Sequence, residues 1–254
     1  MYVTGFYVAR WRRGGRAAPA SRKGTRWNLP QRWVIWWAIE GDLRFLSHLD
    51  CVRAIERTAA RADVPLRFTQ GFNPHPILSL ALARPVGVAA RDELLAITLD
   101  SPVDEDELLR EMNRCVPRGM QFLRARALTG KGTPRACSAR YELGLANGRI
   151  ELVEARLAEL AGMDAWPIER LRSDPTGRSE GRPRGRRGKK MSKRQIDLKP
   201  LVPEIHVGDS MLRWMGRPLG QLWARPGEVL RLLGLDERVD LADVVRTEIE
   251  YDLA

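Results

Sequence analysis

Gln70-Gly71-Phe72-Asn73-Pro74-His75-Pro76 is the segment of this chain best equipped for recognition. Its two prolines fix φ and remove backbone donors, while Gly71 and Asn73 accept left-handed geometry, so a stiff loop of defined shape is expected. Stiffness reduces the entropy lost on binding, which lets Phe72 offer a stacking face and His75 a hydrogen-bonding edge. The competing reading is a loop that crosses a sheet end, with Phe72 in the core and the prolines preventing edge pairing. Ser47-His48-Leu49-Asp50 is the second candidate. There His48 stands at a helix start beside Arg44, as a general base or the neighbour of an anion, or simply as a packing histidine.

Other chemistries find little in the sequence. The chain contains no Gly-x-x-x-x-Gly-Lys phosphate loop, no Gly-x-Gly-x-x-Gly fingerprint and no Gly-x-Ser-x-Gly elbow. Cys51, Cys115 and Cys137 lie far apart, and the three histidines lack ligand spacing, so neither a disulfide scaffold nor a metal centre is expected. The acids Asp104, Glu105, Asp106 and Glu107 are explained by a helix N-terminus.

Charge is concentrated in two places. Residues 1–32 hold eight basic side chains and no acid, and residues 178–194 hold nine basic side chains with Glu180 alone against them. Each segment carries +8, so of the total of +11 the rest of the chain carries −5. Both segments are rich in Gly, Pro and Ser and too poor in apolar residues to form a core, so residues 1–32 are expected to be a disordered extension. Arg182, Arg184, Arg186, Arg187, Lys189, Lys190, Lys193 and Arg194 form the expected polyanion-binding set, which would attract RNA by releasing condensed counterions. Solubilising decoration is the plainer alternative. No apolar run approaches the length of a membrane span and no secretory signal is apparent, which predicts a cytoplasmic protein.

The elements that would hold these residues follow from periodicity. Trp33 to Ile39 reads as a buried strand in which Trp36 faces away from Trp33 and Trp37. Ser47 and Asp50 have capping-box spacing before the helical face of Leu49, Val52, Ile55, Ala59 and Ala62. Leu78 to Leu82 and Leu95 to Leu99 alternate as strands, Asp104 and Glu107 cap a second helix, and Met120 to Ala127 is a strand. Strand, helix, strand, strand, helix, strand is the split βαβ order of a ferredoxin-like domain over residues 33–128. Residues 139–254 repeat that plan, with a hairpin turn at Gly208-Asp209, a helix opened by Pro226 and a mobile basic insertion over 163–193. The expected fold class is therefore α+β: two ferredoxin-like halves, each an antiparallel sheet with helices on one face.

Three motifs occur together in order: Gly41-Asp42-Leu43-Arg44-Phe45-Leu46-Ser47-His48-Leu49-Asp50, the Gln70 to Pro76 loop, and Arg84-Pro85-Val86-Gly87-Val88. On these the chain resembles the radical-SAM-linked protein family of unknown function over residues 33 to 127. The C-terminal half is similar in outline, through Gln195 to Pro200 and Arg246-Thr247-Glu248. The resemblance implies a partner, a radical SAM protein encoded nearby that uses S-adenosylmethionine and an iron–sulfur cluster. The chain departs from the family in having Trp36 and Ile39 on a first strand that is commonly basic, and in its basic extension. No Cys-x-x-x-Cys-x-x-Cys occurs, so no cofactor is expected in this chain and the radical would arise on the partner. Two functions follow. The chain is either a non-catalytic subunit that binds RNA or an RNA-containing particle for that partner, or a metal-independent RNA-processing enzyme resembling the tandem ferredoxin-like CRISPR proteins, with His48 or His75 as acid or base.

Overall fold

The computed structural model describes residues 30–129, 132–146, 148–173 and 191–253. It begins with β1 (Gln31–Ile39), a 3-10 turn (Gly41–Phe45) and α1 (His48–Arg61). Ser47 caps α1 by accepting the Asp50 N–H at 3.2 Å, as the spacing predicts. Then come β2 (Leu78–Leu80), β3 (Ala89–Leu99), α2 (Glu105–Cys115) and β4 (Met120–Leu128). Asp104 caps α2 through the Glu107 N–H at 3.0 Å.

The second half runs through β5 (Arg135–Gly144), α3 (Arg149–Ala161), β6 (Pro167–Ser173), β7 (Met191–Asp197), β8 (Glu204–Gly208) and β9 (Met211–Gly216). It ends with α4 (Pro226–Leu232), α5 (Glu237–Asp240) and β10 (Val245–Asp252).

The expectation of a sheet for each half is corrected here: eight strands form one sheet. Its order is β4-β1-β3-β10-β5-β9-β8, with β2 also on β3, and every pairing is antiparallel except the parallel contact of β10 with β3. The chain is thus a mixed α+β protein with a mostly antiparallel sheet. The two halves join because β2 pairs with only Leu95, Ala96 and Ile97 of β3, which leaves Ala89 and Ala90 open to Val245 and Arg246.

Two buried clusters hold the helices on. One joins Trp33, Ile35 and Trp37 of β1 and Leu95 and Ile97 of β3 to Ile55 of α1 and Met112 of α2. The other joins Tyr141, Leu143 and Trp214 to Val153 of α3 and Val229 of α4. Each fully buried aliphatic side chain of this kind contributes about 1.5–3 kcal/mol. Ala90 of the first cluster lies beside Arg246, which lies opposite Tyr141 of the second, and paired residues share a face. Both sets of helices therefore cover one side of the sheet.

A buried ion pair fastens the seam. Arg246 donates to Glu93 through Nε at 2.7 Å and Nη2 at 2.6 Å, with both side chains almost wholly enclosed. Burial opposes the Arg246 charge, but the Glu93 carboxylate outweighs it and holds the guanidinium's pKa above its ordinary value.

Residues 167–173 and 191–197, which the sequence places in or beside an irregular insertion, pair as the hairpin β6-β7. The strand pattern is hidden because an inward-facing, half-buried position is charged: Arg170 donates to the buried Glu228 at 2.5 Å from both Nε and Nη2. The hairpin turn after β8 also falls one residue later than expected, on Asp209 and Ser210, which both have positive φ.

Candidate functional site

At the start of α1 the sequence motifs explain one another. Arg84 is buried and has no carboxylate partner among the described residues; Nη1 donates to the carbonyls of Arg44 at 2.6 Å, Pro85 at 3.2 Å and Val88 at 2.5 Å. Its Nη2 reaches the Leu46 carbonyl at 3.2 Å and Cys51 Sγ at 3.4 Å. One guanidinium so satisfies the carbonyls of the segment that leads into the helix, which is the physical reason for the Arg84 motif accompanying the Gly41 to Asp50 motif.

The exposed face of this region is less chemical than its residue types suggest. Arg44 Nη1 is engaged by the Ala242 carbonyl at 2.7 Å, and the Arg44 guanidinium lies 5.4 Å from the Phe45 ring centre. Asp50 accepts from Ser47 Oγ at 2.7 Å and from Arg53 at 3.1 Å, and these bonds, Ser47 first, hold its carboxyl below the usual carboxylate range. His48 is exposed. Ser47, Asp50, Arg44 and Arg84 are thus brought together as a folded helix entry. A groove of about 430 Å³ beside it is lined by Phe45, Val86, Gly87, Arg238 and Leu241.

The Gln70 to Pro76 loop is a protruding hairpin tip. Its base is tied by Thr69 N–H to the His75 carbonyl at 2.8 Å, His75 N–H to Thr69 Oγ1 at 3.0 Å and Ile77 N–H to the Arg67 carbonyl at 2.7 Å. Gly71, with φ of 140°, makes the bend. Phe72 is fully exposed, which overturns the reading that placed it in the core. Asn73, Pro74 and His75 are exposed beside it, and Pro76 is half-buried.

The two sites stand at opposite ends of β3. Arg67 and Ile77 hydrogen-bond to Thr98, whereas Gly87 binds Arg44 just before Ala89. Nine residues of strand put these ends on the order of 30 Å apart, so His48 and His75 cannot serve one active site. Arg182, Arg184, Arg186, Arg187, Lys189 and Lys190 lie outside the described residues. Lys193 pairs with Glu169 at 2.9 Å, and Arg194 lies opposite Arg170 on the β6-β7 hairpin. Among the described residues no three His, Cys, Asp or Glu side chains gather to hold a metal ion. No described helix is long and apolar enough to cross a membrane.

One further surface has no counterpart among the sequence motifs. On the helix-free side of the first half, Trp36 of β1 lies opposite Arg124 of β4, with the guanidinium of Arg124 4.5 Å and that of Arg126 5.8 Å from the ring centre. Arg32, Ala96 and Thr98 continue this side toward the Phe72 hairpin, where Arg32, Ile77, Ser79, Ala96, Thr98 and Thr133 line a groove of about 400 Å³. On this side Asp92 meets Arg124 at 3.0 Å; burial raises its pKa and Arg124 opposes the rise. The alternation of Trp33, Trp36 and Trp37 is the available signal, but the arginines join it only through the β1-β4 register.

No curated protein matches the chain. Among solved structures, one described as an unknown protein from Galdieria sulphuraria is 14% identical, with a TM-score of 0.25, covering 88% of this chain and 98% of its own. A family model matches residues 32–225, a span that includes α1 with its Arg84 staple, the Phe72 hairpin and the Trp36 side of the sheet. The chain belongs to that family, described as uncharacterized proteins conserved in bacteria (DUF2344).

Proposed function

We propose that this chain is a non-catalytic binding subunit that holds RNA, or an RNA-containing particle, for a separate radical SAM protein. The observation that carries the reading is Phe72: a fully exposed aromatic ring on a tip stiffened by two prolines and three hydrogen bonds at its base. Leaving such a ring in water forgoes the gain of burying it, and a preorganised tip loses little entropy when a partner covers it. The loop is assigned to partner docking, and the basic residues 178–194 to the polyanion. The partner's S-adenosylmethionine and iron–sulfur cluster supply the radical chemistry, as the family resemblance implies. Each half is read as a ferredoxin-like unit, supported by the matching orders β4-β1-β3-β2 and β10-β5-β9-β8, with β6-β7 inserted in the second.

The test is copurification from the protein's own cells with a tagged full chain. Wild type should retain an iron–sulfur protein and RNA, and Phe72→Ser with Asn73→Ala and His75→Ala should lose the iron–sulfur protein. Retention by the triple variant would refute the loop's role, and cleavage of RNA by the isolated chain would refute a non-catalytic function.

A further inference from the structure

We infer that the helix-free side of the first half, from Trp36 to the groove at Arg32 and Thr98, is the surface that seats single-stranded RNA; this rests on RNA being the ligand. Three observations converge. The first is charge. Arg32, Arg124 and Arg126 share this side with Asp92, which binds Arg124, and Arg126 has no carboxylate partner among the described residues. The same side of the second half places Arg140 and Arg213 among Glu142, Glu204, Glu248 and Glu250, with Arg140 bound to Glu204 at 3.0 Å and Glu248 at 3.5 Å, and Arg213 to Glu142 at 3.3 Å. A phosphate chain is attracted to the first and repelled by the second.

The second observation is the platform. Trp36 holds Arg124 and Arg126 above its ring, so their guanidinium groups are positioned before a ligand arrives. Their outer faces remain able to stack on an unpaired base or donate to a phosphate.

The third is shape. Ser79, Ala96 and Thr98 are small, so the sheet is hollowed into the 400 Å³ groove, which suits one nucleotide rather than a duplex. Hydroxyls of Ser79, Thr98 and Thr133 line it and are suited to the edges of a base, while the Arg32 guanidinium, which donates to the Gly132 carbonyl at 2.5 Å, marks its basic end. A strand laid from Trp36 through this groove reaches Ile77, at the base of the Phe72 hairpin.

The experiment measures binding of the full chain to a fluorescent single-stranded RNA of mixed sequence, with the matching duplex and polyglutamate as competitors, across a range of salt. Arg126→Glu should weaken binding about tenfold or more and lower the salt slope by about 0.7 for each phosphate that is no longer neutralised. Thr98→Tyr, which fills the groove, should weaken it about tenfold with an unchanged salt slope, and Arg140→Glu on the second half should change it less than about twofold. Melting temperatures verify that the variants fold. Equal effects of Arg126→Glu and Arg140→Glu overturn the inference while leaving RNA binding intact. Equal competition by polyglutamate overturns it in favour of an acidic protein, and absence of RNA binding by wild type removes both this inference and the functional reading beneath it.

Discussion

The two halves share the helix-free side of one sheet, yet with opposite electrostatic designs. In the first half Arg124 and Arg126 rest on Trp36 and Arg124 meets Asp92, whereas in the second Arg140 and Arg213 are bound to glutamates. Similar strand order therefore does not imply similar use. Ion pairs at this exposure add little stability, so the second half's lattice is better understood as neutralising its surface than as holding it together. The first half leaves Arg126 without a carboxylate partner among the described residues, and the difference between them is what a polyanion would read.

The seam is where this contrast is most easily broken. Arg246→Ala leaves Glu93 buried without its partner and should cost about 3–5 kcal/mol, read from a denaturation midpoint. Glu93→Gln with Arg246→Met, which removes both charges, should cost clearly less, and equal losses would show that the pair's charge is not what matters there.

The acid within the basic half gives a sharper and smaller effect. Asp92→Asn removes the carboxylate that binds Arg124 and releases Arg124, so RNA should bind a few-fold more tightly. Because burial raises the Asp92 pKa above its ordinary 3.8, the folded state holds that proton more firmly than the unfolded chain does. Stability from this group is complete below 3.8 and is lost as pH rises through the raised value, so Asp92→Asn should gain stability relative to wild type across that rise. A gain on lowering the pH instead would show that Arg124 dominates.

How much of this is legible in the sequence depends on range. The caps of α1 and α2 are readable because Ser47 with Asp50 and Asp104 with Glu107 act within one turn. Strand β6 is not, because its half-buried residue Arg170 is charged and its partner Glu228 lies far along the chain. The alternation correctly turns Trp36 away from Trp33, but its company of Arg124 and Arg126 depends on a bulged register between distant strands. The exposure of Phe72 is undecided in the sequence because a loop's direction is set by what its base is tied to, here Thr98 of β3.

The smallest expected effect is on stability at the hairpin tip. Asn73→Ala and Phe72→Ser should each change the unfolding free energy by only about 0.5 kcal/mol, because the exposed ring and amide have little packing to lose. A much larger loss would make the tip a structural element and remove it as a docking site.

The contrast between the halves is tested most directly by photo-crosslinking the full chain to single-stranded RNA and locating the crosslinked residues by mass spectrometry. The account predicts crosslinks at Trp36, along β4 at Arg124 to Arg126 and around the groove at Ile77 and Thr98, in addition to any within residues 178–194, with few on β5, β8 and β9. Crosslinks concentrated on β5, β8 and β9, or confined to residues 178–194, would contradict it.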